Sequence, residues 1–325
     1  SIVSGSIGVG MALNGYGVKA LVFQKITSSS LDVAFYWIIS KWRPRRRFSI
    51  GDIKTVWSYS SMDFIDRIIT SIYSKLDIII IGKVLSPVTL GLYSRALSLD
   101  VMVNNLTSSS IGRVFFPTIS RIQNDPQKVV ITYSKIISIV AFISIGLSGY
   151  LFLVAEDLFV FLFTKKWIKS AIIYKYLAVV GFVLPISSIM IGLINGLGFP
   201  GKNLKSGLIK KTIGLIAISS AFFYGLKVFL IAIIIRNIFG LIINMKVVAD
   251  TIGLTVIHQS FLFVRFLVIA LLIVFLGGEI KLNVTEIISL MVSTVYFTAS
   301  YVSLSLLIDK KLRIIIFTKL KSLKK

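Results

Sequence analysis

The chain has 325 residues, 56% of them hydrophobic and only 15% charged, with a mean hydropathy of +0.91; soluble domains carry about 25% charged residues, so an ordinary soluble protein is excluded and an integral membrane protein indicated. The net charge of +23 does not indicate nucleic acid, because the Lys and Arg fall in short blocks between long apolar runs, as membrane loops do. With no Cys and one His, thiolate metal sites, disulfides and a His-rich metal centre are excluded, and neither a metal nor a cofactor is expected.

A crossing needs about 20 apolar residues, and on that measure the sequence offers ten candidate spans, an all-α polytopic transmembrane bundle. The first, Ser1 to Leu13, starts without Met inside an apolar run and reads as cut short. Its Ser4/Gly8 and Ser6/Gly10 pairs are spaced for close helix packing. Gly15-Tyr16-Gly17 breaks the chain before a second span, about Val18 to Ser40, which ends at the basic block Lys41 to Arg47. The third span, about Ile53 to Val84, is polar in its first half, with Asp63, Asp66, Arg67, Lys75 and Asp77. Asp63 and Arg67 stand at i,i+4 and can neutralise each other on one helix face. Ser86 to Thr89 turns the chain into a fourth span, about Leu90 to Ile119, and a fifth runs from about Val129 to Val154.

Residues Leu158 to Lys169 read as an amphipathic interfacial segment anchored by Trp167, with Lys165, Lys166 and Lys169 at headgroup level. Spans six to ten follow at about Ile172–Leu197, Ser206–Tyr224, Val228–Ile243, Phe261–Leu276 and Thr285–Leu307, before a basic tail. Alternating the ten spans places Lys41 to Lys54, Arg113 to Lys128, Lys202 to Lys211, Lys246 and the tail on one side. The other side receives only Lys165, Lys166, Lys169, Lys227 and Lys281, with Lys83 at a helix end. The rich side is cytoplasmic by the positive-inside rule, so both ends face inward. His258 reads as a loop residue, and Lys175, Arg236 and Arg265 as near-interface or helix-pairing charges. Gly8-Val9-Gly10 is no dinucleotide fingerprint, since no strand precedes it and Leu13 replaces the third glycine.

Leu76 to Arg121 concentrates Asp77, Arg95, Asp100, Asn104 and Asn105 within apolar sequence. An ionised side chain at the bilayer centre costs about 2.5–3.5 kcal/mol on insertion scales, so this grouping indicates a polar cavity rather than a lipid-facing surface. At about 100° per residue Arg95 and Asp100 point some 140° apart, while Asp100 aligns with Asn104, Thr107 and Ser108. One polar face lines a cavity and the other bonds a neighbouring helix; the pattern leaves open which. Asp63, Asp66 and Arg67 are either a structural ion-pair cluster or groups that couple transport to a proton or cation.

Several stretches taken together carry a resemblance: Leu76-Asp77 with Ile81-Gly82, Leu90-Gly91-Leu92-Tyr93-Ser94-Arg95-Ala96, Gly112-Arg113-Val114-Phe115-Phe116-Pro117, and Ser120-Arg121-Ile122-Gln123. Gly15 to Val22, Trp42-Arg43-Pro44, Leu162-Phe163 with Lys166-Trp167, and Asn195-Gly196-Leu197-Gly198 support it. The sequence resembles the flippases of the MOP (multidrug/oligosaccharidyl-lipid/polysaccharide) exporter superfamily, in its lipopolysaccharide and teichuronic acid translocase branch. The resemblance implies a MATE-like bundle in which 1–40 are the last two helices of a first lobe lacking four helices. It further implies a basic cytoplasmic loop at 41–52, a six-helix second lobe at 53–250, two extra helices at 251–309 and a cytoplasmic tail at 310–325.

It also implies a non-enzymatic, multi-pass protein of the inner (cytoplasmic) membrane that moves a polyprenyl-pyrophosphate-linked oligosaccharide across by alternating access. Surface polysaccharide assembly is the expected setting, with membrane lipids and other assembly proteins as partners. Arg95 matches a position where related flippases carry a cavity arginine for the diphosphate, though a turn or so past Leu90 it reads also as a residue snorkelling near the outer helix end; Asp100, Asn104, Asn105 and Asp77, the last also readable as a helix-packing carboxylate, are the accompanying substrate-site candidates. Two rivals stay open. A cation or drug extruder of the same superfamily would use the carboxylates Asp63, Asp66, Asp77 and Asp100, and a membrane polymerase or ligase of the same pathway would need a large catalytic outer loop.

Overall fold

The structure is a computed structural model that describes residues 2–40, 86–278 and 286–309, together with Gly51, Trp57, Ser61, 64–66, 68–73, Leu76, Ile79, Ile80, Gly82, Lys83 and Arg313. Asp63, Arg67, Asp77, the basic block at 41–47 and most of the C-terminal tail therefore lie outside the described residues. Every regular element among the described residues is a helix. The chain divides into two compact units, Ser1–Lys54 and Thr55–Lys325.

In the first unit α1 (Ile2–Leu13) and α2 (Val18–Ile39) pack together. Gly15 and Gly17 make the turn with φ of 80° and 51°, values that side chains with a Cβ disfavour. Ser4 and Gly8 are the buried residues of α1, and a Cβ on Gly8 would come to 3.0 Å from the Gln24 side chain. The Ser4/Gly8 pair thus permits the close approach its spacing promises, whereas Ser6 is exposed and a Cβ on Gly10 would meet nothing within 4 Å.

The second unit runs through α3 (Pro87–Ile122), α4 (Pro126–Leu153), α5 (Ala155–Phe163), a 3₁₀ turn (Lys165–Trp167), α6 (Ile168–Ala178), α7 (Val183–Gly196), α8 (Pro200–Ile252), α9 (Val256–Gly278) and α10 (Glu286–Ile308). The starts of α3 and α4 follow from local chemistry. Ser86 Oγ accepts from the Thr89 N–H and Asp125 Oδ1 from the Lys128 N–H, each followed by a proline whose missing N–H costs nothing in a first turn.

α8 is helical over 53 residues except at Gly225, with φ 74° and ψ −171°. A straight helix of that length would measure about 80 Å. Instead Lys210 Nζ donates to Asn244 Oδ1 at 2.7 Å and Lys202 Nζ to Thr251 Oγ1 at 2.9 Å. The chain therefore reverses at Gly225, and two antiparallel arms occupy the stretches read as the seventh and eighth spans. α6 and α7 are similarly one interrupted crossing: the helix unwinds over Val179–Phe182 through short-range bonds such as Val183 N–H to the Val180 carbonyl at 2.9 Å.

Among the described residues five stretches are long and apolar enough to cross a membrane: Pro126–Leu153, Lys165–Gly196, Phe223–Ile252, Val256–Gly278 and Ile287–Ile308. α2 and α3 have the length but more polar sequence. The protein is an all-α polytopic membrane bundle. α4 packs on α9, α3 on α6 and α7, α7 on α8, and α10 on α9, α4 and α5. One core forms around Tyr133, Ile137, Ile186, Leu193 and Phe266, and a second around Tyr93, Ala96, Phe159, Ala171 and Phe229.

Polar bonds lock α9 and α10 onto this bundle. The Tyr133 hydroxyl donates to Gln259 Oε1 at 2.9 Å, while Gln259 Nε2 donates to the carbonyls of Met245 and Leu254. Arg265 pairs with the buried Asp309 at 2.7 Å, which makes Arg265 the helix-pairing charge of its two readings. His258, expected in a loop, is exposed in the first turn of α9; the helix begins earlier than its apolar run because Thr255 Oγ1 accepts the His258 N–H.

Candidate functional site

Three helical segments of the second unit place polar or small residues at one-turn intervals along one face each: Asp66, Thr70 and Tyr73 before α3; Asn203, Gly207 and Lys210-Lys211 on the incoming arm of α8; and Arg236, Gly240 and Asn244 on the outgoing arm. α7 adds Ser187 and, one turn on, the apolar Ile191. These faces meet around a cavity of about 330 Å³ whose remaining wall includes Val183 and Leu184. The interruption between α6 and α7 stands at its edge, an arrangement found where discontinuous membrane helices form binding sites.

Three cations and one carboxylate line this cavity among the described residues. Lys211 Nζ pairs with Asp66 Oδ1 at 2.7 Å. Lys210, its neighbour in sequence, instead donates to the neutral Asn244 at 2.7 Å. Arg236 Nη1 donates to the Tyr73 hydroxyl at 3.4 Å, and Tyr73 sits against Gly214, where a Cβ would collide with the phenol. Asn203 Nδ2 donates to Asn195 Oδ1 at 2.6 Å and to the Ile191 carbonyl, tying α7 to α8. Asp66 and Lys211 keep only 34% and 14% of their side-chain surface exposed. Cations with apolar walls on one side attract an anion more strongly than the same cations in open water.

The sequence-predicted candidates fall in three places. Asp66 lines the cavity, paired with Lys211 across 145 residues. Arg95 lies in the third turn of α3, with its guanidinium carbon 4.6 Å from the Phe163 ring centroid and 4.9 Å from that of Trp167; it is not part of the cavity lining. Asp100 is half-buried on α3 and accepts, through its backbone carbonyl, the Asn104 amide at 2.9 Å. Asn104 is 7% exposed and Asn105 is exposed.

Lys210, Lys211, Arg236 and Asn244 were not among the sequence candidates. The positive-inside pattern assigns Lys210 and Lys211 to an inward loop, but they belong to α8, which starts at Pro200. The signal that reveals them is the one-turn repeat of polar and small residues on both arms, visible once Gly225 is recognised as a reversal. Among the described residues no group of three or more His, Asp or Glu is placed to hold a metal ion.

The fold and this charged cavity define a class. The chain matches the lipid II flippase MurJ in its inward closed conformation with a TM-score of 0.72, over 95% of this chain and 67% of that one, at 16% identity, so it has that all-helical fold. The chain belongs to the polysaccharide biosynthesis protein family, whose model matches residues 1–172. It is 22% identical over 168 residues to the teichuronic acid biosynthesis protein TuaB of Bacillus subtilis, covering 51% of this chain and 35% of that protein. It is 25% identical over 142 residues to the lipopolysaccharide biosynthesis protein WzxC of Escherichia coli, covering 44% and 29%. The chain thus spans about a third of the length of these curated relatives. The family match includes Asp66 and Tyr73; the cations of the cavity lie beyond it.

Proposed function

We propose that the protein is a flippase that moves a polyprenyl-pyrophosphate-linked oligosaccharide across the cytoplasmic membrane for surface polysaccharide assembly. The observation that carries this reading is the cavity where, among the described residues, Lys210, Lys211 and Arg236 stand with one carboxylate, Asp66. A pyrophosphate presents several anionic oxygens, and charge-assisted hydrogen bonds from Lys and Arg are about twice as strong as neutral ones. Lys210, which donates to the Asn244 side chain, and Arg236, which donates to the Tyr73 hydroxyl, are the donors assigned to the substrate. Residues 53–250 serve as the lobe that carries the site and 251–309 as the extra helix pair, and the function is transport rather than bond-making. The MurJ-like fold and the names of the relatives, TuaB and WzxC, support a lipid-linked saccharide as cargo.

The test is lipid extraction from cells that lack the protein and are rescued with wild type or with the double variant Lys210→Gln/Arg236→Gln. Lipid-linked oligosaccharide should accumulate on the cytoplasmic face and be cleared by wild type alone. If none accumulates and sensitivity to cationic drugs rises instead, the cargo is a cation and the reading is wrong.

A further inference from the structure

We propose that Arg95, Phe163 and Trp167 form a second site, separate from the cavity, that binds the phosphate of an anionic membrane phospholipid. Arg95 reaches out of α3 to the segment joining α5 to α6, where the rings of Phe163 and Trp167 lie 4.6 Å and 4.9 Å from its guanidinium carbon. A ring face holds a nearby cation through its quadrupole, an attraction that occupies no conventional hydrogen-bond acceptor, so the guanidinium N–H donors are not consumed by it. Among the described residues no carboxylate and no side-chain acceptor meets those donors. A half-buried cation that never loses its charge is costly without a counter-ion. An anion from outside the chain completes it.

The surroundings identify where that anion comes from. Phe161 and Leu162, beside the clamp, are 56% and 47% exposed, and Ile168 follows them. In a membrane bundle such apolar surface is covered by acyl chains. Lys166 and Lys169 are exposed on the same segment. Aromatic anchors, lysines and lipid-facing apolar residues together mark headgroup depth.

The backbone is bent to make the clamp. Thr164 adopts φ 79° and ψ 166° between α5 and the 3₁₀ turn, a conformation that a β-branched residue takes only when its surroundings impose it. This one residue lets Phe163 and Trp167, on either side of it, both face Arg95. A guanidinium fork matches two oxygens of a phosphodiester, and the flanking lysines favour a headgroup of net negative charge over a zwitterionic one.

The test is titration of the detergent-purified protein with phosphatidylglycerol and, in parallel, phosphatidylcholine, read by native mass spectrometry. Phosphatidylglycerol should bind more tightly, and Arg95→Gln should weaken it about tenfold. Arg95→Lys, which keeps the charge but not the stacked fork, should recover only part of the loss. Lys166→Gln/Lys169→Gln, confined to exposed positions, should weaken phosphatidylglycerol severalfold and leave phosphatidylcholine unchanged, so the site stays testable if the Arg95 variants fail to fold. Equal affinity for the two lipids in wild type, or wild-type phosphatidylglycerol binding in the lysine variant and in folded Arg95→Gln, overturns the site. Loss of inorganic pyrophosphate binding by Arg95→Gln with phosphatidylglycerol binding intact also overturns it, because Arg95 would then belong to the cargo's path.

Discussion

Replacing Asp66 by Asn should tighten anion binding in the cavity. Asp66 holds Lys211 at 2.7 Å, so part of the Lys211 charge is already spent inside the protein, and the carboxylate also repels an incoming phosphate. Asparagine keeps the shape and a hydrogen-bond acceptor but removes the charge. A hydrogen bond to a charged group contributes about 1.5–3 kcal/mol against about 0.5–1.5 for a neutral pair. Releasing Lys211 should therefore add about 1–2 kcal/mol to anion binding, or about a five- to thirtyfold gain. The stability cost should be small because Asp66 is a third exposed and the pair is screened by solvent.

The assay is inorganic pyrophosphate binding to the detergent-purified protein by isothermal calorimetry. Lys211→Gln alone should bind worst, since it leaves Asp66 unpaired and facing the anion, and adding Asp66→Asn to it should restore affinity to near wild type. If folded Asp66→Asn binds pyrophosphate no better than wild type, the cavity is not the anion site and the assignment of Lys210 and Arg236 to the substrate falls with it.

Gly225→Ala should lower the apparent melting temperature, because φ 74° with ψ −171° lies in a region that costs a residue with Cβ about 1–3 kcal/mol; an unchanged melting curve would argue against the tight reversal. Arg265→Leu or Asp309→Leu alone should destabilise strongly, since each strands a charge, whereas the double variant should regain most of the loss in a thermal-unfolding cycle. Gly214→Ala should expel Tyr73 and deprive Arg236 of its phenol partner, weakening pyrophosphate binding while α8 remains helical by circular dichroism.

What could be read from the sequence was what neighbouring residues determine. The Gly15–Gly17 turn and the apolar runs each depend on a few consecutive side chains, and the structure has a turn and helices there, whereas Pro87 to Thr89, which read as a turn, already belong to the helix that Ser86 caps. The cavity depends on residues as far apart as Asp66 and Lys211, and nothing local to either distinguishes a salt bridge across the bundle from a loop charge. Lys210 and Lys211 looked like loop residues because lysine density marks loops in membrane proteins. That rule fails where helical periodicity turns the same lysines toward one interior face. Arg95 stands out in the sequence as a charge within apolar residues, but its partners come from Phe163 and Trp167 on another segment, a contact that spacing along α3 does not contain.

On the proposed reading, the two cationic sites differ in the partner each cation keeps, and the difference follows from what each must do. A carrier that flips an anion has to return empty, and three uncompensated cations around a half-apolar cavity would make that state expensive. Asp66 offers Lys211 an internal partner once the cargo leaves, while Asn244 and Tyr73 offer Lys210 and Arg236 neutral ones. The carboxylate thus weakens cargo binding in order to stabilise the empty carrier. Asp66→Asn should accordingly bind pyrophosphate more tightly and turn over cargo more slowly. Arg95 faces no such cycle: a resident lipid need not be released, and two aromatic rings, which hold a cation without neutralising it, leave its full charge for the headgroup.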